Sequence, residues 1–180
     1  MQVVWFKRDL RLHDHRPLQH ALAAGGPLLA LYVAEPTLWR QADRSARHRS
    51  AFAKALVDLD RQLGALGARI AVFPGESLDA LMALRDHVGT FALWAHEETG
   101  SGWTFERDLA VIEWCRAHAV PFREQAQFGV TRGLRERDGW AGRWNRTMGE
   151  PLTPPPRHWP STPMPPGFVS AQDFFDQSEP

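Results

Sequence analysis

The stretch VVWFKRDLRLHDH, Val3 to His15, begins as an apolar segment and becomes a run of alternating charges within four residues. Its apolar part, Gln2 to Phe6, contains two valines and two aromatic residues, which is typical of a strand buried on both faces. The charges that follow predict a loop at the carboxyl end of this strand. Two interpretations of the loop stand side by side: Arg8 and Asp9 pair with neighbours and hold the loop, or the loop binds an anionic or amphiphilic ligand.

Strand and helix patterns alternate along the first 125 residues. Further strands are predicted at Pro27–Val33, Arg69–Phe73, Thr90–Ala95 and Val120–Glu124, with helices at Pro17–Ala24, after Ser45, after Ser77 and at Trp103–His118. This alternation predicts an α/β fold: a doubly wound, five-stranded parallel sheet (Rossmann-like) with helices on both faces. Such sheets bind ligands beyond the carboxyl ends of the strands, where the strand order reverses. The polar, glycine-containing loops after the first and fourth strands make those two strands the expected flanks of the reversal.

The chain divides into three expected segments. Residues 1–130 form the α/β domain, residues 131–150 a basic helical extension, and residues 151–180 an extended Pro-rich C-terminal linker. The last segment holds nine of the fourteen prolines, and its stretch PLTPPPRHWPSTPMPPGF (151–168) cannot form a helix or a central strand, whereas AQDFFDQSEP (171–180) begins to look amphipathic. We expect it to form an extended linker or a strap over the surface.

Composition excludes several classes of protein. The formal net charge is zero, so bulk electrostatics predict neither nucleic-acid nor membrane binding. Cys115 is the only cysteine, which rules out an internal disulfide, and its helix pattern places it with Phe105, Leu109 and Ile112 on an apolar, core-facing side. No segment approaches the roughly 20 apolar residues of a membrane helix. The chain enters a strand directly, so we expect no signal peptide and a cytoplasmic protein.

The sequence contains no complete set of catalytic or metal-binding residues. No G-x-G-x-x-G follows the first strand and no G-x-x-x-x-G-K-[ST] occurs, which argues against an ordinary dinucleotide or P-loop site. His96 beside Glu97 and Glu98 suggests metal binding, but nothing nearby in sequence completes a ligand set. We therefore predict no catalytic residue and no metal site in this chain.

The opening motif resembles the start of the DNA photolyase/cryptochrome family, which has a W-F-R-x-D-L-R-L-x-D-N-x-x-L-like segment. The residues that match it are Trp5, Phe6, Arg8, Asp9, Leu10, Arg11, Leu12, Asp14 and Leu18. The segments LALYVAEPTLW (29–39), HEETGSGWTFERDLAVIEWC (96–115) and GVTRGLRERDGWAGRW (129–144) are also similar to this family. The resemblance covers the whole chain, whereas the chain covers only part of the family's length.

The resemblance implies a function for the longer protein. This chain would be the antenna-chromophore domain of a deoxyribodipyrimidine photolyase-like flavoprotein, which repairs pyrimidine dimers in DNA under light. FAD and the damaged DNA would bind a helical domain outside this chain, so that domain is the expected partner and the chain alone is expected to be inactive. The alternatives are a cryptochrome-like blue-light photoreceptor domain and a standalone α/β nucleotide- or flavin-binding module.

The resemblance also implies a binding site for a second, light-harvesting chromophore. The family's antenna pocket lies by the loops after the first, second and fourth strands. By resemblance, the corresponding residues of this chain are Phe6, Lys7, Arg8, Asp9, Glu35 and Glu97. Folate-binding members often have an Asn-Glu pair before the fourth helix, where this chain reads GSGWTFERD. A flavin or deazaflavin is therefore expected in preference to folate, and an empty pocket is the alternative.

Overall fold

The computed structural model describes residues 1–134 and 136–176, and within them five strands form one parallel sheet in the order β3-β2-β1-β4-β5. The strands are β1 (Gln2–Phe6), β2 (Leu28–Val33), β3 (Ile70–Phe73), β4 (Ala92–His96) and β5 (Phe122–Gln125). The helices are α1 (Arg16–Ala24), α2 (Pro36–Trp39), α3 (Ala46–Gly64), α4 (Ser77–Val88), α5 (Gly102–Ala117), α6 (Trp140–Met148) and α7 (Ala171–Asp176). The predicted doubly wound, five-stranded parallel sheet is confirmed.

The central strand β1 marks the reversal of strand order. It pairs with β2 on one side, where Val3 lies opposite Leu29, and with β4 on the other, where Val3 lies opposite Leu93. The chain builds outward through β2 and β3, then crosses back to add β4 and β5. The first and fourth strands flank the reversal, as predicted, so the loops after them meet at one edge of the sheet.

Side chains that alternate along β1 supply two apolar cores, one on each face of the sheet. Val4 and Phe6 pack in the core that also contains Leu18 of α1 and Leu59 of α3. Val3 and Trp5 pack in the other core, which contains residues of α4 and α5. Helices therefore cover both faces, which explains why the strand sequences are apolar without polar alternation.

The buried face of α5 differs from the predicted one. Phe105 and Leu109 were expected to face the core, yet their side chains are 43% and 47% exposed. The helix instead turns Thr104 and Asp108 inward, together with Val111 and Cys115. The physical reason is that the buried ammonium of Lys7, in the loop directly after β1, needs a carboxylate partner, which Asp108 provides.

Of the two predicted helix caps, the one at Ser45 is confirmed and the one at Ser77 is wrong. Ser45 precedes α3 and its hydroxyl accepts a hydrogen bond from the His48 amide at 3.3 Å, as expected of an N-cap serine. Ser77 was expected to cap α4, but it is the first residue of that helix and Glu76 occupies the cap position. Glu76 instead uses its carboxylate to accept hydrogen bonds from Thr37.

Residues 151–176 run along the α/β domain and contact it at several points. The Thr153 carbonyl accepts a hydrogen bond from the Asp14 amide at 2.7 Å. Trp159 is buried, and its indole donates to the Leu28 carbonyl at 3.0 Å. No helix in the described part of the chain combines the length and apolar character needed to cross a bilayer.

Candidate functional site

The loops after β1, β2 and β4 bring most of the predicted site residues to one edge of the sheet. Lys7, Arg8 and Glu35 border a small cavity of about 20 Å³ together with Phe6. Asp9 is buried in an adjoining group of histidines. Glu97 lies apart from that cavity, and its carboxylate is 3.5 Å from the Arg132 guanidinium.

A buried ionic cluster, formed by Lys7, Glu35, Glu98, Arg107 and Asp108, joins the three loops to α5. Lys7 Nζ lies 2.7 Å from Asp108 Oδ2. Arg107 Nη1 donates to Glu35 Oε2 at 2.7 Å, and its Nη2 lies 2.8 Å from Asp108 Oδ1. All five side chains are at most 7% exposed, so the network excludes water and each charge depends on its partners.

Glu98 links this cluster to Arg8 at the protein surface. Its Oε1 atom lies 2.6 Å from Arg8 Nη2 and also accepts hydrogen bonds from the amides of Thr99 and Gly100. A Cβ atom at Gly100 would lie 2.8 Å from the same oxygen, so a larger residue there would require the Glu98 carboxylate to shift. The Arg8 side chain is 41% exposed, which leaves it accessible to a ligand.

The two buried cations of the cluster contact an aromatic ring of β1. Lys7 Nζ and Arg107 Cζ lie 4.9 and 4.8 Å from the centre of the Trp5 ring, within the range of cation–π attraction. Burial acts to lower the pKa of Arg107, but the carboxylates of Glu35 and Asp108 outweigh it and raise that pKa above its usual value. Burial raises the pKa of Glu35, and Arg107 opposes this change.

A second buried group, the Asp9–histidine cluster, contains Asp9, His15 and His96. His96 Nδ1 lies 2.5 Å from Asp9 Oδ2, and His15 Nε2 lies 2.9 Å from the same oxygen, off the straight hydrogen-bond direction. The other oxygen of Asp9 accepts the Lys7 amide at 2.8 Å. Burial acts to raise the pKa of Asp9, but its contacts with the two histidines hold that pKa well below its usual range.

The hydrogen bond that His15 Nδ1 accepts determines the tautomer of this ring. His15 Nδ1 accepts the Leu18 amide at 3.1 Å and so caps α1, which leaves Nε2 to carry the proton of the neutral ring. The ligand atoms of Asp9, His15 and His96 lie within 4.8 Å of one another, a spacing that could hold a metal ion. Coordination through His15 Nε2 would place the proton on Nδ1, facing the Leu18 N–H, and the α1 cap would be lost. The geometry favours a hydrogen-bonded cluster that holds the β1–α1 loop.

This cluster predicts a pH dependence of stability. Burial lowers the pKa of His96, even though Asp9 opposes the change, and Arg11 and His15 add to the lowering. The unfolded chain therefore binds a proton at His96 near its ordinary pKa while the folded chain does not, so stability falls as pH decreases through that window. We expect urea denaturation between pH 7 and pH 5 to show this fall, and His96→Gln to reduce its slope. The exposed His87→Gln variant is the control, and an unchanged slope in His96→Gln would contradict the assignment.

A larger apolar groove, the α3–α7 groove, adjoins the small cavity. It has a volume of about 960 Å³ and is lined by residues of α2, α3 and α7, among them Trp39, Phe174 and Phe175. Tyr32 and Phe52 border both spaces, so the groove leads toward the ionic cluster. Its volume falls in the range of small-molecule and cofactor sites, about 300–1,000 Å³.

Sequence reasoning missed Glu98, Arg107 and Asp108 as members of this region. A signal for the last residue was present: Thr104, Asp108, Val111 and Cys115 follow helical spacing, with a carboxylate inside an otherwise inward-facing row. No comparable signal existed for His15, because the residues that surround it come from β4 and from the far side of its own loop.

Comparison with known proteins identifies the family. The family model for DNA photolyase matches residues 2–130. The chain is 33% identical over 113 residues to cryptochrome DASH of Gloeobacter violaceus, covering 59% of this chain and 23% of that protein. It is 31% identical over 118 residues to cryptochrome-2 of Gallus gallus, covering 66% of this chain and 20% of that protein.

A third relative is the deoxyribodipyrimidine photo-lyase of Vibrio cholerae, 38% identical over 66 residues, which covers 37% of this chain and 14% of that enzyme. The chain therefore spans 14–23% of the length of these three relatives.

Solved structures show the same fold. A bacterial class III photolyase from Agrobacterium tumefaciens superposes with a TM-score of 0.76 at 19% identity, covering 96% of this chain and 37% of that protein. The Sulfolobus tokodaii photolyase gives a TM-score of 0.73 at 19% identity, covering 100% of this chain and 42% of that protein. The match over residues 2–130, together with the shared sheet, shows that this chain belongs to the DNA photolyase family and contains its N-terminal α/β domain.

Proposed function

We propose that this domain binds a flavin or deazaflavin antenna chromophore and serves a deoxyribodipyrimidine photolyase-like flavoprotein that repairs pyrimidine dimers in light. The observation that carries the proposal is the α3–α7 groove, an aromatic-lined space of about 960 Å³ that shares Tyr32 and Phe52 with the small cavity at the loop after β1. The archaeal photolyase from Sulfolobus tokodaii is described with two FAD molecules and a novel light-harvesting cofactor. A second flavin in the α/β domain is consistent with that description.

The groove suits a planar conjugated ring with a polar tail. Tyr32, Trp39 and Phe52 offer aromatic surfaces, and Trp39 and Phe52 already contact each other edge to face at 5.3 Å between ring centres. Arg40 and Arg49 stand among the groove-lining residues and supply positive charge for an anionic tail. When bound, such a chromophore would absorb light and pass excitation energy to FAD.

The predicted site residues take different roles in this proposal. Arg8 is the cation with an accessible side chain, while Lys7 and Glu35 are held in ion pairs and orient the loops. Phe6 forms part of the wall between the cavity and the core. Asp9 holds the β1–α1 loop through its cluster. Glu97, beside Arg132, would act from the β4–α5 side.

The remaining parts of the chain fit a larger assembly. We infer that residues 1–130 are the chromophore domain, residues 131–150 a basic extension, and residues 151–180 a linker toward a helical domain. That domain would bind FAD and damaged DNA in a cytoplasmic protein. The chain alone is expected not to repair thymine dimers under light, and repair by the purified chain would contradict this division of roles.

Ligand binding tests the proposal directly. The purified chain is mixed separately with FMN, FAD, a deazaflavin, a folate and ATP, and followed by absorbance and thermal unfolding. We expect the flavins or the deazaflavin to raise the unfolding temperature, because a ligand that binds only the folded state stabilises it. We expect Arg49→Ala, at a groove-lining position, to weaken FMN binding about tenfold through loss of a charge-assisted contact. The exposed Arg116→Ala should bind FMN normally. A shift with ATP alone would favour a standalone nucleotide-binding module.

A further inference from the structure

We propose that the strap, residues 151–176, completes the chromophore groove through its terminal helix α7, so that ligand binding and strap docking stabilise each other. The inference rests on the proposed function of the groove. Its basis is that Gln172, Phe174 and Phe175 line the same groove as Tyr32 and Phe52. A segment that follows the α/β domain in sequence thus supplies one wall of the groove of about 960 Å³.

The strap reaches the groove along a defined path. Trp159 is anchored on the Leu28 carbonyl, and the Leu28 amide in turn donates to the Pro160 carbonyl at 2.7 Å. Further along, Val169 forms an antiparallel bridge with Val72, with N–H to O distances of 2.8 and 3.0 Å between the two residues. This bridge forms hydrogen bonds with backbone groups on the outer edge of β3 and places the strap next to that strand directly before α7.

Helix α7 is formed by its own cap and placed by its aromatic residues. The Ser170 hydroxyl accepts the Asp173 amide at 3.1 Å and donates to the Asp173 carboxylate at 2.6 Å, so the helix begins at a reciprocal cap. Phe174 and Phe175 are half-buried against the core cluster that contains Leu56 and Leu59 of α3. Six residues are too few for a stable isolated helix, so α7 depends on this contact.

Charge supports the same arrangement. The α3 side of the groove carries Arg49, Lys54 and Arg61 against the single acid Asp58. The facing helix α7 contains Asp173 and Asp176, which do not line the groove themselves but give the helix a net charge opposite to that of the α3 wall. Attraction between the walls favours the docked strap, and an anionic ligand would meet its cations on the α3 wall.

Reciprocity follows from linkage. If the ring of a ligand rests on Phe175, the docked strap raises the affinity for the ligand, and the ligand must then favour the docked strap by the same factor. The occupancy of the groove would thereby control the order of the segment that leaves the α/β domain. A ligand that touched only α2 and α3 would produce neither effect.

The first test compares two matched substitutions in the full chain, with FMN as the probe. Phe175→Ala removes an aromatic wall of the groove, and we expect it to raise the dissociation constant of FMN about tenfold. Phe105→Ala removes a more exposed ring from α5, outside the groove, and should leave the constant unchanged. Equal affinity of both variants and the unaltered chain would overturn the proposal.

The second test leaves every groove-lining residue in place. Val169→Pro removes the amide that donates to Val72 and so loosens the strap before α7. We expect weaker FMN binding by this variant, and we expect FMN to increase hydrogen-exchange protection at the Phe174 amide of the unaltered chain. FMN binding without either effect contradicts the strap inference and leaves the proposed function standing. No binding of any flavin or deazaflavin by the unaltered chain contradicts both.

Discussion

Replacing Arg107 with alanine is expected to lower the free energy of unfolding by about 3–5 kcal/mol. The guanidinium neutralises Glu35 and Asp108, which are almost completely buried, and also lies 3.5 Å from Glu98. Removing it leaves Glu35 in an apolar interior without its cation, so that its desolvation is no longer offset, and leaves Asp108 with Lys7 as its remaining cation. Because Glu35 follows β2 and Glu98 follows β4, the loss would also release two loops of the candidate site.

Urea denaturation at pH 7 measures this effect. Arg116→Ala, on the exposed side of the same helix, is the matched control and should change stability by less than about 0.5 kcal/mol. Arg107→Lys keeps one charge but loses the planar fork that reaches two carboxylates, so an intermediate loss is expected. A loss below about 1 kcal/mol for Arg107→Ala would show that the ionic cluster does not hold the loops.

Replacing Asp9 with alanine is expected to lower the free energy of unfolding by about 2–4 kcal/mol at pH 7. The change removes the acceptor for the Lys7 amide and the charge that faces His15 and His96. The Lys7 amide and the His96 ring lose their hydrogen-bond partner at once, and the β1–α1 loop loses the contact that fixes its path. The cap that His15 provides for α1 should weaken as well.

The same variant should lose part of the acid sensitivity of the protein. The pKa of Asp9 is held well below its ordinary value in the folded state, so its stabilisation is complete above that ordinary value and is lost as pH falls toward the folded value. Denaturation curves below pH 4 should therefore be less steep in pH for Asp9→Ala. Asp86→Ala, at an exposed position of α4, is the control. Equal acid dependence of Asp9→Ala and the unaltered chain would contradict the role of Asp9.

The pattern of the sequence was enough to predict the sheet. Apolar runs such as Val3–Phe6 and Leu28–Val33 lack polar alternation, and their short length and flanking turns are typical of strands covered on both faces. The pattern alone did not predict the full strand order. The polar loops after β1 and β4 nevertheless marked correctly the two strands that flank the reversal. These features are local, because each strand or helix carries its own period.

The prediction for α5 failed because the period of a helix does not say which of its faces the sheet will bury. Phe105 and Leu109 are apolar and remain exposed, while Asp108 is fully buried beside Lys7. The two partners are separated by 101 positions in the chain. Nothing in the neighbourhood of either residue reveals that one will neutralise the other.

Local sequence therefore accounts for the strands, the main helices, the position of the crevice and the family motif in the β1–α1 loop. Only the tertiary structure shows which charged residues of that loop are structural. Lys7 and Asp9 are paired with buried partners, whereas the side chain of Arg8 is partly exposed. The groove also belongs to the tertiary structure, since α3 and α7 form its walls from distant segments. The physical reason is that burial and charge pairing depend on which elements pack against each other in the folded chain. The pattern of the sequence does not show which residues become neighbours in space.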